Sequence, residues 1–171
     1  SFLGSLAPRF MTQPTAITPA TKADRELLGF ANAAEFAARD LYAIAAASAA
    51  FSDDEKTVLT GFHDHHRAAA QALAGMAGSI ATNEPAAAVL DIFRSRLNGS
   101  NKNAILEALR ELENTLAATH LSLVGALEGT GGAALVASIL NVEARQSATL
   151  ALLGGRSLND ALTNSAAPLS L

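Results

Sequence analysis

The chain has 171 residues, a formal net charge of −4 and no cysteine, and 50% of its residues are hydrophobic. A chain of this length suits a single domain with a sizeable core. The acidic balance, without any run of Lys or Arg, argues against nucleic acid or an anionic membrane as a partner. The lack of cysteine excludes thiolate catalysis, zinc–thiolate sites and disulfides.

The hydrophobic residues are mainly Ala and Leu, with one Tyr and no Trp. Few of them are β-branched, so the composition predicts packed helices and an all-α fold. No uncharged stretch of 18 apolar residues lies outside the Ala-rich amphipathic helices, so we expect no membrane span. We expect a soluble protein, either cytoplasmic or exported after removal of a signal peptide, and the composition does not separate these compartments.

Residues 1–20 contain Pro8, Pro14 and Pro19 and have no helical periodicity. Proline cannot donate a backbone hydrogen bond, so this pattern predicts an extended arm on the surface. We expect the domain itself to span residues 21–155, followed by a C-terminal tail over residues 156–171.

The first two helices are marked by capping patterns. Thr21 and Asp24 predict the start of helix one, which we expect to reach about Ala50, and Ser52 with Glu55 predicts the start of helix two. Helix two should end near Gly75–Gly78. At helical period, Glu35 falls on the apolar stripe of helix one and His66 on that of helix two, whereas His63 and His65 point to the flanks.

A long connection follows, from about Gly78 to Asn103. It predicts a short helix from Glu84 to Leu97, closed by the left-handed cap signal Asn98-Gly99. A linker of this length can cross the bundle, so we expect the helices on either side of it to run parallel.

The last two long helices are predicted over Asn103–Leu127 and Gly132–Gly154, joined by a tight turn. Their buried stripes again include polar residues, namely Glu113, His120, Glu143 and Gln146. The tail from Ser157 predicts one more short helical turn before Pro168.

Each of the four long helices thus carries one ionisable side chain near the middle of its buried stripe: Glu35, His66, Glu113 and Glu143. Three carboxylates close together in a core repel one another and are costly to desolvate, unless cations or protons compensate. Divalent metals would do so. Carboxylate oxygen with imidazole nitrogen suits Fe, Mn or Zn, and Fe or Mn would add redox chemistry.

This arrangement resembles the ferritin-like superfamily of di-iron and di-manganese carboxylate proteins. The resemblance implies a four-helix bundle with a long crossover between helices two and three, carrying a short helix. It also implies one Glu from each of two helices, matched by Glu35 and Glu113, and a Glu-x-x-His pair from each of the others. Glu143-Ala-Arg-Gln146 stands at one pair, with Gln in place of His. His66-Arg-Ala-Ala69 stands at the other, with His in place of Glu and Ala in place of His.

Two functions remain open from the sequence. The first is a bundle with an incomplete di-metal site that acts as a structural or partner-binding module. Each carboxylate also has a purely structural alternative, an ion pair of Glu35 with Arg39, of Glu113 with Arg110, or of Glu143 with an Arg of a neighbouring helix. The second is an iron- or manganese-binding protein with redox or metal-sequestering activity at Glu35, His66, Glu113 and Glu143, with Gln146 as a further ligand.

Two more buried candidates are excluded by their spacing. His120 lies about 10 Å along the helix axis from Glu113, at about 1.5 Å per residue, too far for the same ion. Tyr42 lies equally far from Glu35. We therefore expect His120 to be a hydrogen-bonded core residue and Tyr42 to serve in packing.

Partners are suggested by two weaker features. The apolar start of the arm, Phe2-Leu-Gly-Ser-Leu6, loosely resembles the Gly-Ser-Leu peptides by which ferritin-like cargo docks inside encapsulin shells. The Ala-rich outer helix faces suit a helix-to-helix contact, so we expect a homodimer or another protein partner.

Overall fold

A computed structural model describes residues 19–170 of the chain. Over this range the helices are α1 (Lys22–Ala46), α2 (Asp53–Ala77), α3 (Ala87–Phe93), α4 (Lys102–Ala126), α5 (Thr130–Leu153) and α6 (Leu158–Ala161). The described residues contain no strand, so the predicted all-α fold is confirmed. The apolar start of the arm lies outside the described residues.

The four long helices form two antiparallel hairpins, α1 with α2 and α4 with α5, which pack against each other. The connection between the hairpins crosses the bundle. Lys102, at the start of α4, donates to Glu55, at the start of α2, with Nζ to Oε1 at 2.8 Å. Since these two helix starts lie at the same end of the molecule, α2 and α4 run parallel, as the length of the crossover predicted.

The predicted caps form the starts of both N-terminal helices. Ser52 and Glu55 make a full capping box, which satisfies two backbone N–H groups that a helix start leaves unpaired. At α1 only half of the box forms, because Thr21 accepts from the backbone N–H of Asp24 while the Asp24 carboxylate accepts from the backbone N–H groups of Glu128 and Gly129. Buried Asp24 therefore fixes the α4–α5 turn against the start of α1.

Three predicted helix boundaries, one end and two starts, were wrong by a few residues. Helix α1 stops at Ala46, not Ala50, because the Ser48 hydroxyl accepts from the backbone N–H of Ala50 and closes a turn. The crossover helix begins at Ala87 rather than Glu84 because Pro85 disfavours helical backbone in the residue before it. Helix α5 begins two residues before Gly132, at Thr130.

The core is divided by a polar layer. Below the layer, in the direction in which α1 begins, Leu28, Leu73, Leu123 and Val136 belong to one apolar cluster. Above it, Leu41, Leu59, Leu109 and Leu150 belong to a second, larger cluster. On all four long helices the ionisable residues stand between these clusters, so the packing of both clusters sets their height in the bundle.

The C-terminal tail runs back along α4. Arg156 makes a two-pronged ion pair with Glu107, at 2.6 and 2.7 Å. Further along, the backbone N–H of Leu169 donates to the Thr119 hydroxyl. The predicted helical turn after Ser157 is confirmed as α6. Among the described residues, no helix is both long enough and apolar enough to cross a membrane.

Candidate metal centre

The four inward residues predicted from the sequence meet in the polar layer. Glu35, His66, Glu113 and Glu143 are each at most 2% exposed, and His66 contacts both Glu35 and Glu113. Three more buried polar side chains complete the layer, namely Tyr42, His120 and Gln146. The layer divides into two groups, which we call half-site A and half-site B.

Half-site A consists of Glu35, His120 and Glu143. One candidate ligand atom from each residue lies within 4.8 Å of the other two. His120 Nδ1 is 2.8 Å from Glu143 Oε2, and His120 Nε2 is 3.6 Å from Glu35 Oε1. The second distance is too long for a hydrogen bond, so no hydrogen bond joins His120 to Glu35.

Half-site B consists of Glu113, His66, Tyr42 and Gln146, and hydrogen bonds join the other three residues to one oxygen of Glu113. Glu113 Oε1 accepts from the Tyr42 hydroxyl at 2.5 Å, from His66 Nε2 at 2.9 Å and from Gln146 Nε2 at 3.0 Å. The Tyr42 ring stacks on the His66 ring, with centroids 5.2 Å apart. One carboxylate oxygen thus receives three donors.

The two half-sites occupy corresponding places in the two hairpins. Tyr42 follows Glu35 by seven residues in α1, and His120 follows Glu113 by the same number in α4. The two helices are antiparallel, so Tyr42 of α1 contacts Glu113 of α4. In the same way, His120 of α4 faces Glu35 of α1. By the same correspondence, His66 of α2 stands where α5 has Glu143.

His66 is a buried cation. Burial alone would lower its pKa, but the charges of Glu113 and Glu35 and the hydrogen bonds to them raise the pKa to about 10. Its Nδ1 and Nε2 both lie within hydrogen-bonding distance of carboxylate oxygens, at 2.7 and 2.9 Å, so both nitrogens act as donors. The pKa of Glu35 is lowered in return, since the charge of His66 and its hydrogen bond outweigh burial.

Half-site A has the opposite electrostatics. Burial, followed by the charge of Glu35 and a hydrogen bond to it, raises the pKa of Glu143 well above its ordinary value. Burial lowers the pKa of His120, so its imidazole is neutral near pH 7. A neutral imidazole has one ring nitrogen with a free lone pair, which is the form that binds metals.

Unpaired polar atoms are concentrated in this layer. When both carboxylates of half-site A are ionised, Glu35 Oε1, Glu143 Oε1 and His120 Nε2 are fully buried and have no hydrogen-bond partner. Glu113 Oε2 and Gln146 Oε1 are also buried and unpaired, but in half-site A all three residues contribute such an atom. Buried polar atoms are normally paired, because leaving one unpaired costs about 1 to 3 kcal/mol. Two carboxylate oxygens and an imidazole nitrogen form a donor set that suits iron or manganese. The residues present therefore fit a metal ion in half-site A.

The comparison with known families agrees with the helical bundle. The model of the ferritin-like domain family matches residues 23–156, which is most of the chain. The chain belongs to this family. The match spans all four long helices and the crossover. No curated protein and no solved structure matches the chain.

The ion pairs proposed from the sequence as an alternative to metal do not form for Glu35 or Glu113. Arg39 pairs with its neighbour Asp40 at 2.7 Å. Arg110 reaches the backbone oxygen of Asp160 and lies 3.9 Å from Glu107. Glu143 likewise contacts His120, in place of the expected arginine. Histidines, rather than arginines, face the carboxylates of this ferritin-like bundle.

His120 is a hydrogen-bonded core residue and Tyr42 packs in the core, as expected, but each also contacts a carboxylate of the cluster, which the spacing did not predict. The distance between His120 and Glu113 along α4 was correctly judged too long for one ion, but His120 faces Glu35 and Glu143 instead. A signal was available in the equal seven-residue spacing on α1 and α4, which places Tyr42 and His120 in corresponding positions. His65 is exposed and His63 pairs with Asp64 at the surface, as predicted.

Proposed function

We propose that this ferritin-like protein binds a single divalent iron or manganese ion in half-site A, with Glu35, His120 and Glu143 as ligands. The observation that carries the proposal is the set of three buried, unpaired atoms on these residues. An ion would pair all three at once. Bound iron or manganese would supply one-electron redox chemistry, or the ion would be held in a sequestered form.

Charge supports one ion rather than two. Once Glu143 has lost its proton to bind an ion, the three carboxylates and the His66 cation carry a formal charge of −2, so one divalent ion makes the buried layer neutral. A second divalent ion would leave two uncompensated positive charges in the core, which costs several kcal/mol per ion. The formal charge of the polar layer therefore favours one bound divalent ion.

Geometry supports the same number. In half-site B the His66 ring lies between Glu35 and Glu113 and satisfies an oxygen on each of them. The Tyr42 hydroxyl and the Gln146 amide take the remaining space around Glu113 Oε1. Of the five ligands predicted from the sequence, we retain Glu35 and Glu143. We assign His66, Glu113 and Gln146 to the charge-balancing half-site B.

The test is the metal content of the full chain. Protein purified without chelator should contain about one equivalent of Fe or Mn by elemental analysis, and ion-free protein should take up one Mn²⁺ by calorimetry. Glu143→Gln, which keeps the shape but removes the charge, should lose this binding. The matched control Glu128→Gln changes an exposed Glu and should bind like wild type. Two ions per chain, or none at millimolar Mn²⁺, would reject the proposal.

A structural or partner-binding module is the second candidate. It is favoured by the raised pKa of Glu143, whose retained proton can be shared with Glu35 in place of an ion. Leu158 and Leu162, at or near α6, are 72% and 83% exposed and offer an apolar contact for a dimer or another protein. If the protein is ion-free and its measured mass falls on changing both leucines to Ser, this candidate replaces the first.

A further inference from the structure

A cavity of about 260 Å³ lies in the seam between α2 and α5 and reaches half-site A. Buried Glu35 and Glu143 line its deep end, and exposed His65, Ala68 and Ser138 line its outer end. The remaining wall is largely apolar and includes Ala69, Leu135, Ile139 and Val142. The cavity therefore leads from the surface toward two of the three candidate ligand residues.

The cavity follows from one difference between the hairpins. Gln146 stands three residues after Glu143 on α5, and Ala69 stands three residues after His66 on α2. The Gln146 side chain fills space within half-site B and donates to Glu113. Ala69, in the corresponding place, ends at its methyl group beside half-site A. The space that a longer side chain would fill is left open.

Three residues that line this cavity carry a buried polar atom without a partner in the chain. Glu35 Oε1, Glu143 Oε1 and Gln146 Oε1 belong to lining residues, are fully buried and are unpaired. An ion held by Glu35, His120 and Glu143 would satisfy the carboxylates but would have only three protein ligands. Iron and manganese commonly take more than this, so a ligand from solution has both a reason to bind and a route to the ion.

We propose that the cavity binds a small, neutral, mainly aliphatic molecule with one oxygen donor, such as a medium-chain alcohol, with its oxygen toward the ion. This proposal rests on the proposed function. The volume corresponds to about eight non-hydrogen atoms at about 30 Å³ each, the share of a water in the liquid. A neutral head suits the site because the three carboxylates, His66 and a divalent ion already sum to zero charge, and an added anion would be buried uncompensated.

The experiment uses 1-hexanol as the probe on the full chain loaded with Co²⁺, whose visible spectrum reports changes in its ligands. Hexanol should shift the spectrum and bind with one-to-one stoichiometry by calorimetry. Ala69→Gln, which copies Gln146 and fills the cavity, should weaken hexanol binding at least tenfold while Co²⁺ loading stays at one equivalent. Ala72→Gln, an exposed site on the same helix, is the matched control and should bind like wild type.

Each other outcome separates the possibilities. Hexanol binding that is equal in wild type and Ala69→Gln would show that the cavity is not the site and overturn the inference. Tighter binding of hexanoate or hexylammonium than of hexanol would overturn the neutral head group. An unchanged spectrum in protein that carries one Co²⁺ rejects this inference and leaves the proposed function intact. Failure to load Co²⁺, Mn²⁺ or Fe²⁺ rejects the proposed function and this inference with it.

Discussion

Half-sites A and B occupy corresponding positions in two similar helical hairpins, yet they handle buried charge in opposite ways. In half-site B the cation is part of the chain, because His66 bridges Glu35 and Glu113. In half-site A two carboxylates face a neutral His120, and buried atoms stay unpaired. The difference teaches that an imidazolium at one position compensates the buried carboxylates there, whereas at the other position the chain supplies no such cation.

The comparison also shows how a single residue changes the buried charge, on which the proposed number of ions depends. His66 of α2 stands where α5 has Glu143, so exchanging a carboxylate for an imidazole there changes the formal charge by up to two units. Tyr42, in the place that corresponds to His120, donates a hydrogen bond but is a poor ligand while protonated, and burial followed by the charge of Glu113 raises its pKa well above 10. His66 and Tyr42 are the reason that the proposed function leaves half-site B without an ion.

The largest effect is expected on stability, when His66 is removed from half-site B. His66→Leu should lower the free energy of unfolding of the ion-free protein by about 3 to 5 kcal/mol, because Glu35 and Glu113 lose the cation that compensates them. Chemical denaturation followed by circular dichroism measures this. His65→Leu, at an exposed neighbouring position, is the control and should change stability by less than about 0.5 kcal/mol. A loss below 1 kcal/mol for His66→Leu would mean that His66 is not the compensating charge.

The second effect tests whether the two half-sites have the different roles proposed. His120→Phe should weaken Mn²⁺ binding by about 100-fold or more, since it removes the one nitrogen ligand of half-site A. Tyr42→Phe, the corresponding change in half-site B, removes a hydrogen bond to Glu113 and should alter Mn²⁺ affinity by no more than about threefold. Calorimetric titration of both variants decides, and similar losses in both would contradict the assignment.

The third effect is the pH dependence of ion binding. The raised pKa of Glu143 means that its proton must leave before the carboxylate can bind an ion. Below that pKa, Mn²⁺ affinity should rise about tenfold per pH unit and then level off, with one proton released per ion. Glu143→Gln should abolish this slope. Affinity that is flat between pH 5 and 8, with no proton release into weak buffer, would show that Glu143 is already ionised.

The last prediction concerns stability, which should fall as the pH rises because His66 loses its charge. Its pKa rises from 6.5 to about 10 on folding, so its contribution is complete below about pH 6.5 and is lost as the pH rises through 10. Unfolding of ion-free wild type between pH 7 and 10.5 should show this loss, and His66→Leu should not. This measurement separates the charge of His66 from its packing.

Much of the fold was determined by local sequence features. The Ser52–Glu55 capping box, the Ala- and Leu-rich helical periodicity and the long crossover each act over a few residues or a single helix, and each led to the element that forms. The inward positions of Glu35, His66, Glu113 and Glu143 were determined in the same way, since helical spacing fixes which face of a helix a residue occupies.

Only the tertiary structure decided how those residues pair. Spacing along α4 placed His120 away from Glu113, but the antiparallel packing of α1 on α4 brought His120 to Glu35 and Tyr42 to Glu113. Contacts between helices depend on their relative height and direction, which the packing of the two apolar clusters sets and no single helix encodes. The sequence therefore determined that polar residues face inward, and the packing decided which of them form a candidate ion site and which replace an ion.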